Sequence, residues 1–418
     1  MSKNFVITNT YIVRAPNVSQ AKSLVFENMG KGDILDEDLN VAEISEDEII
    51  EYINEKDGSY SQSSVIGIAE EEEYSSADPS LVSMVADSRN DFLRSENKRL
   101  AKLVEKHKNV QHETVVAAYQ AAFDVFSNFE IPKIKQPVLK NNSKHKSPET
   151  AVAVFGDWQL GKVTPDYNSD VLEKRIEQYT EKLIEITEIQ RMDHNVDNLH
   201  VWLLGDIVEG EEIFPGQAHL IDSGLYRQVG INGPRILSKF LTTALQNFKK
   251  VHVVGVIGNH GAVGGKMRKQ HDPETNMDRL LYKIVELMFD KEDRITFNIP
   301  DGAGERNWYA IDNVGSYSSL LIHGDQLPSP TSYHGYYKKV MGWKDGAIPD
   351  HFDDVFMGHY HQQFKMTIGS TMLRISGSPE SHNTYAQEFF SSMSRPCQHL
   401  MYIHPEHGVT SEYSIWLD

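Results

Sequence analysis

The chain has 418 residues, a formal net charge of −19 at pH 7 and a single cysteine. This length allows one large domain with a smaller one, or two to three compact units, and it is sufficient to bury a sizeable core. The acidic charge argues against a general nucleic-acid coat or an anionic membrane surface as partner, so any site for a polyanion has to be local.

The lone Cys397 excludes an intramolecular disulfide and a cysteine-based zinc site, which is typical of a protein from a reducing cytosol. Residues 1–11 lack the charged start and the apolar segment of a signal peptide, and no run of about 18 apolar residues occurs in the chain. The sequence therefore predicts a cytoplasmic protein without a membrane partner.

Residues 1–58 are predicted to form a small αβ module. Residues 5–14 are rich in β-branched and aromatic side chains, which favours a strand, and residues 21–29 follow a turn as an amphipathic helix. Further along, Ile44 and the isoleucines after it are spaced like one face of a second helix.

Residues 59–87 are acidic and rich in small side chains, so we expect a linker there. Residues 88–130 contain no proline or glycine, and they are predicted to form a long helix or a helical hairpin. A partial heptad in this segment allows either packing onto the protein's own body or self-association into a homo-oligomer. Residues 131–149 are predicted to be a basic connector, either a solvated linker or a contact with nucleic acid.

From residue 150 to residue 418 the pattern becomes apolar strand, polar turn and helix, which predicts one catalytic domain. Helices are predicted at 172–189, 234–248 and 276–289, and strands at 151–155, 199–204, 251–257, 308–311, 319–323, 353–357, 371–376, 400–404 and 411–416. Alternating strands and helices followed by a β-rich half favour an α/β fold with two packed mixed β-sheets flanked by helices.

Five of the apolar runs end beside a glycine in residues of metal-ligand type. These residues are Asp157, Asp206, Asn259, His323 and the pair His359 and His361. Because the carboxyl ends of parallel strands line one edge of a sheet, we expect these side chains to meet at one site. Carboxylate, amide and imidazole groups together suit Mn, Fe or Zn better than Ca or Mg alone. With so few acidic ligands one carboxylate has to bridge two cations, and Asp206 is the predicted bridge.

The motifs follow one another in a fixed order. They are Asp157-x-Gln159, Gly205-Asp206-x-x-Glu209, Gly258-Asn259-His260, His323-Gly324 and Gly358-His359-x-His361. This order resembles that of the calcineurin-like metallophosphoesterase superfamily over about residues 151–378. The resemblance implies a two-sheet sandwich that uses two divalent cations to activate water for attack on phosphorus.

Transferred to this sequence, the resemblance implies two ligand sets. Metal one takes Asp157, Gln159, Asp206 and His361, and metal two takes Asp206, Asn259, His323 and His359. Mn is the favoured metal, with Fe, Zn or Mg as alternatives. His260 is the implied catalytic histidine, which assists the phosphoryl oxygens or the leaving group.

Three positions differ from the family's motifs. Gln159 stands where histidine is usual, and its amide oxygen is a weaker and harder donor, which favours Mn over Zn at metal one. Gly261 replaces an acidic residue, and Glu209 is predicted to hydrogen-bond His260 in its place. Gly210 replaces the arginine of protein serine/threonine phosphatases, which argues against a phosphoprotein substrate.

Cations and aromatic side chains near the ligand turns predict the substrate. Lys162, Arg268 and Lys269 are predicted to hold phosphates and Trp158 to stack on a base, or equally to serve loop solubility and packing. These features favour a DNA nuclease, similar to the nuclease branch of the superfamily. A small-molecule phosphatase or cyclic-nucleotide phosphodiesterase is one alternative, and an inactive binding scaffold is another.

Two further histidines, His219 and His334, lie in polar stretches. They are predicted either as surface residues or as additional groups of the site. The order of a small αβ module, a long helix and a catalytic unit also resembles proteins of tailed bacteriophages, which would place the protein in the cytoplasm of a host cell.

Overall fold

In the computed structural model the described residues are 3–7, 11–15, 41–44, 98–99, 102, 113–126, 133–139, 146–214, 216–264, 273–300, 308–327, 333–381 and 395–418, the first three segments as backbone only. The chain divides into two compact units, Met1–Arg99 and Leu100–Asp418. The predicted boundaries of the module, the linker, the connector and the catalytic domain stay predictions.

The first unit contains a three-stranded antiparallel sheet in the order β2-β1-β3. Its strands are β1 Lys3–Ile7, β2 Tyr11–Ala15 and β3 Val41–Ile44. The single strand predicted over residues 5–14 is wrong, because this stretch supplies both β1 and β2, with Ile7 opposite Tyr11. Apolar residues on both sides of a short polar break fit a hairpin as well as one strand. Ile44, predicted on a helix, lies in β3, and the predicted helix 21–29 lies outside the described residues.

The helices of the second unit mostly follow the predicted apolar spacing. The longer ones are α1 at residues 113–126, α2 Ser169–Gln190, α3 Gly233–Asn247, α4 Met277–Met288 and α5 Tyr333–Gly342, and a single helical turn lies at Leu225–Arg227. At the start of α2, the Asn168 side chain accepts a hydrogen bond from the Val171 amide at 2.9 Å, as its N-cap position predicts. No described helix combines the length and the hydropathy that a membrane span requires.

Helix α1 covers part of the long helix predicted at 88–130. Four of its residues recur at helical spacing and pack against the core, namely Val115, Tyr119, Ala122 and Phe126. This part of the segment therefore packs onto the protein's own body. Self-association through the remaining residues stays a prediction.

The strands of the second unit form two mixed sheets. In chain order they are β4 Lys146–Phe155, β5 His194–Leu203, β6 Lys250–Gly255, β7 Ile295–Asn298, β8 Tyr309–Val314, β9 Tyr317–Ile322, β10 Asp354–Met357, β11 Phe364–Ile368, β12 Thr371–Ile375, β13 Cys397–His404 and β14 Gly408–Trp416. The six-stranded sheet has the order β14-β13-β4-β5-β6-β7, and the five-stranded sheet has the order β11-β12-β10-β9-β8. Strands β4 to β7 run parallel, as do β9, β10 and β12.

Alternating side chains on β4 show how the layers are packed. Ala151, Ala153 and Phe155 enter the core between the six-stranded sheet and helices α1 to α4. Val152 and Val154 point the other way, into a core shared with the five-stranded sheet. A third core lies between that second sheet and α5. Each fully buried large apolar side chain contributes about 1.5–3 kcal/mol. The predicted α/β fold, with two packed mixed sheets and helices outside, is confirmed.

Candidate metal centre

The predicted ligands lie where parallel strands end. Asp157 and Gln159 follow β4, and Asp206 follows β5. The carboxyl ends of parallel neighbours lie at one edge of a sheet. His323 follows β9, and His359 follows the parallel strand β10 in the second sheet. Both sheets therefore deliver side chains to the same edge of the sandwich.

The backbone at these turns is unusual. Among the described residues, the non-glycine residues with positive φ are five predicted ligands: Asp157 (53°), Gln159 (47°), Asp206 (50°), His359 (74°) and His361 (55°). Non-glycine residues in this region cost about 1–3 kcal/mol each, and they persist where the surroundings hold them in place. Such strain is concentrated here at one cluster of side chains.

Glycines bring the ligand turns together. A Cβ atom at Gly258 would overlap the Asp206 carboxylate, and a Cβ at Gly358 would overlap that of Asp157. These two glycines are therefore needed for the close approach of a neighbouring turn.

Four side chains of the predicted metal-two set converge on one another. His323 Nε2 lies 3.1 Å from Asp206 Oδ2, 3.1 Å from Asn259 Oδ1 and 3.1 Å from His359 Nδ1. The ligand atoms of Asp206, His323 and His359 all lie within 4.8 Å of one another. Asp206 and His323 are buried.

The hydrogen bonds of His323 indicate that a cation belongs in this cluster. Its Nδ1 lies 2.8 Å from the carbonyl oxygen of Leu204, which can only accept, so Nδ1 carries the hydrogen. In the neutral ring Nε2 then presents a lone pair toward the oxygens of Asp206 and Asn259. Burial lowers the pKa of His323, but Asp206 outweighs it and raises the pKa to about 10. A proton or a metal ion must therefore compensate these converging acceptors, and the donor set fits a divalent metal.

The predicted metal-one set lies beside the first. The Gln159 amide nitrogen is 3.3 Å from Asp206 Oδ2, and His361 Nε2 is 3.5 Å from Asp157 Oδ1. Gln159 is fully buried, yet its Oε1 has no hydrogen-bond partner among the described residues. Buried carbonyl oxygens are rarely left unpaired. This oxygen fits a cation ligand, and the residues present suit the metals that the sequence predicts.

Glu380 is a residue of the centre that the sequence analysis missed. Its Oε2 lies 2.8 Å from His361 Nδ1 and its Oε1 lies 2.7 Å from Lys162 Nζ. Burial raises the pKa of Glu380, but Lys162 and His361 outweigh it and lower the pKa to about 2. The carboxylate turns His361 so that Nε2 faces Asp157, as outer partners of metal-binding histidines do.

Asp278 is a second missed residue, and it ties two ligand turns together. Its Oδ2 accepts from the amides of Asp206 and Gly258, each at 2.9 Å. Its Oδ1 accepts from Ile207 at 3.0 Å and Val208 at 3.1 Å. Burial, together with the nearby Asp206, raises the pKa of Asp278 to about 6. An acidic residue in the first turn of α4 is ordinarily a helix-capping feature, so only the tertiary contacts show this role.

The surroundings of Gly261 explain why no acidic side chain stands there. A Cβ atom at Gly261 would lie 2.5 Å from Asn276 Oδ1. That oxygen caps α4 by accepting from the Asp278 amide, while the Asn276 amide group donates to the Gly258 carbonyl at 2.9 Å. The helix cap occupies the space that a side chain would need.

Glu209 and His260 lie next to each other. His260 Nδ1 is 2.9 Å from the Glu209 carbonyl oxygen and 3.2 Å from Glu209 Oε2. Since both neighbours are acceptors, Nδ1 carries a hydrogen and Nε2 faces the ligands, 4.0 Å from Asp206 Oδ2. Burial lowers the pKa of His260, but Asp206 and Glu209 outweigh it and raise the pKa to about 9. Gly210 has a φ of 77°, and a Cβ there would lie 2.5 Å from the His260 carbonyl oxygen, so no arginine fits.

The structure places the residues predicted to bind substrate in different surroundings. The base-stacking role of Trp158 is wrong, because its indole is fully buried and packs edge-on against Phe155, with ring centroids 5.2 Å apart. Lys162 is mostly buried and paired with Glu380. Arg268 and Lys269 lie outside the described residues. The remaining two histidines, His219 and His334, are both exposed.

Neither a protein-family model nor a curated protein matches the sequence. Several solved structures align with 63–64% of the chain. They include zinc-bound Vps29 from Entamoeba histolytica (12% identity, 99% of that chain, TM-score 0.29), a novel archaeal phosphodiesterase (13%, 99%, 0.30) and a predicted phosphoesterase from Streptococcus pneumoniae (14%, 98%, 0.26). At these scores the likeness carries no conclusion about activity.

Proposed function

We propose that the chain is a dinuclear metal-dependent phosphodiesterase and that its substrate is DNA. The observation that supports it most is the cluster around His323 Nε2, where the oxygens of Asp206 and Asn259 each lie 3.1 Å from one nitrogen. These converging acceptors need a proton or a metal ion between them, and strained turns from both sheets hold the arrangement.

Metal one would be held by Asp157, Gln159, Asp206 and His361, and metal two by Asp206, Asn259, His323 and His359. Divalent cations at such a site supply Lewis-acid activation of water and neutralise charge on the phosphoryl oxygens. Four of the seven ligands offer oxygen, and Gln159 offers a neutral amide, which supports Mn over Zn.

His260 is the proposed catalytic residue. The Glu209 carbonyl oxygen accepts a hydrogen bond from His260 Nδ1 at 2.9 Å, which leaves Nε2 directed toward the ligands. An imidazole nitrogen in that position can give a proton to the oxygen of the departing alcohol, or hydrogen-bond a phosphoryl oxygen. A phosphodiester needs such a proton because its leaving group is an alkoxide.

The choice of DNA is supported by two cationic residues, Arg268 and Lys269, which follow the Asn259 motif in the sequence. A smaller phosphoester is the second candidate, and two observations favour it. Trp158 is fully buried, and Lys162 is already paired with Glu380. Neither side chain is therefore available to grip a polymer as predicted.

Three substrates separate these functions: single-stranded DNA, double-stranded DNA and a bis-aryl phosphodiester, each tested with Mn. A nuclease cleaves DNA, whereas a small-ester enzyme cleaves only the aryl diester.

We expect His260→Ala to lower turnover by about a hundredfold or more. His351→Ala removes an exposed histidine paired with Asp353 at 3.3 Å, and it should leave turnover unchanged. Absence of cleavage of all three substrates by metal-loaded protein would contradict the proposed phosphodiesterase activity.

A further inference from the structure

Gln217 is a fully buried glutamine on the short helical turn Gln217–His219. Its Nε2 donates to the Glu209 carbonyl oxygen at 2.9 Å and to Glu209 Oε1 at 2.8 Å. Its Oε1 accepts from the Ile213 amide at 2.7 Å. Because a backbone N–H can only donate, these partners fix which end of the amide faces Glu209.

The contact with Gln217 determines how the Glu209 carboxylate is turned. Glu209 is 1% exposed, so each of its oxygens needs a donor inside the protein. Gln217 donates to Oε1, whereas Oε2 has no hydrogen bond among the described residues and lies 3.2 Å from His260 Nδ1, whose hydrogen goes to the Glu209 carbonyl oxygen at 2.9 Å. The three side chains form one chain of contacts that ends at the ring nitrogen facing the metal ligands.

We propose that Gln217 is a positioning residue for His260 and acts through Glu209; this inference rests on the proposed function. Without the Gln217 amide, the buried Glu209 carboxylate loses a donor and turns to find another. Gln217 also donates to the Glu209 carbonyl oxygen, which accepts from His260 Nδ1 at 2.9 Å, so both Glu209 groups beside the ring are then free to shift. Gln217 contacts none of the metal ligands, so its effect falls on the proton-transfer step and not on metal binding.

Gln228 provides a matched comparison. It is also fully buried, at the start of the helical turn Gln228–Asn232, where its Oε1 accepts from the Gly210 amide at 3.0 Å and its Nε2 donates to the Ser223 carbonyl at 2.8 Å. These contacts brace the loop without touching the Glu209 carboxylate. A purely structural role would make the two glutamines equivalent, whereas a positioning role distinguishes them.

The test is a double-mutant cycle on the full chain with the bis-aryl phosphodiester. We expect Gln217→Met, which keeps the volume and removes the amide, to lower kcat by about tenfold to a hundredfold with little change in KM or metal content. Gln217→Asn, one methylene shorter, should act in the same direction and serves if the methionine variant does not fold. Adding Gln217→Met to Glu209→Ala should cause a smaller further loss than Gln217→Met causes in wild type, because the carboxylate is already absent and only the contact with the Glu209 carbonyl remains.

Gln228→Met is the control, and its effect should add to that of Glu209→Ala. Additive losses for Gln217→Met and Glu209→Ala, or unchanged kcat in both Gln217 variants, would overturn the inference while leaving the proposed function intact. A wild-type protein that turns over no phosphodiester would remove the proposed function, and this inference with it.

Discussion

Single residues of the centre combine strained backbone with ligand chemistry. The five positive-φ positions belong to side chains that face the proposed metals, and none is β-branched. Asp and His adopt this conformation more often than most residues, whereas Gln does so at a higher cost. The contacts that hold these turns, such as those of Asp278 with the Asp206 and Gly258 amides, offset that cost.

Gln159 is expected to limit the affinity of metal one. Replacement by histidine substitutes an imidazole nitrogen for a neutral amide oxygen, and it should tighten the weaker-bound ion by about tenfold, or about 1.4 kcal/mol. The change should also favour Zn over Mn. Isothermal titration calorimetry measures the affinity of this ion and its preference between Zn and Mn. Gln159→Leu, which offers no donor, should bind that ion more weakly than wild type, and equal affinities in all three proteins would show that residue 159 is not a ligand.

Gly261 is expected to tolerate no side chain. Gly261→Ala places a methyl group 2.5 Å from Asn276 Oδ1 and displaces the cap of α4. Overpacking of this kind costs about 1–3 kcal/mol, which a lower midpoint of thermal unfolding would show. Gly230→Ala is the matched control, because nothing lies within 4 Å of the added carbon. If the two alanine variants unfold alike, the proposed packing of Asn276 is wrong.

At the level of elements, the start of α4 holds together the turns after β5 and β6. The Asp278 carboxylate accepts four backbone hydrogen bonds from these two turns. Asp278→Asn leaves one acceptor oxygen, so some of these four backbone amides lose their hydrogen bonds. Each buried amide left unpaired costs about 1–3 kcal/mol of stability. We expect a lower free energy of unfolding and weaker binding of metal two.

The control for this prediction is Asp290→Asn, an exposed position just after the same helix. A surface change of this kind should alter stability by no more than about 0.5 kcal/mol. Denaturant unfolding of both variants makes the comparison. Equal stability of Asp278→Asn and wild type would mean that the carboxylate does not organise the ligand turns.

The elements differ in how far the sequence could predict them. The C-terminal ends of β4 to β6 are buried on both faces, so their apolar runs are readily recognised, whereas the partly exposed start of β5 is not. Edge strand β11 was missed because most of its side chains are exposed and pairing with β12 defines it. Helix α5 was missed because Gly335 and a run of aromatic residues obscure its periodicity. The sequence predicts one strand in place of β1 and β2, because the short break between them carries no strong turn signal.

The residues of the metal centre also differ in how far the sequence could predict them. The ligand types at strand ends were visible because each ends an apolar run. Glu380 and Asp278 carry no comparable signal, since their roles come from contacts with Lys162, His361 and backbone amides distant in sequence. Trp158 was misjudged because an aromatic residue beside a ligand is as easily a core residue as a stacking platform.

At the scale of the whole second unit, the packing of two sheets makes the centre possible. Ligands from the six-stranded sheet meet histidines from the five-stranded sheet only because the shared core fixes their separation. A polar link supports this packing, since Asp312 on β8 accepts from Trp202 on β5 at 2.5 Å and lies 2.7 Å from His200 Nδ1. The site is therefore a property of the sandwich and not of either sheet.

The metal content of protein purified without chelator tests the central claim most directly. Elemental analysis of the full chain should find two divalent ions per chain after Mn is supplied, and fewer in Asp206→Asn, which alters the shared ligand. His351→Ala should match wild type. A wild-type protein that retains no divalent metal, or that binds as much as its Asp206→Asn variant, would contradict the account.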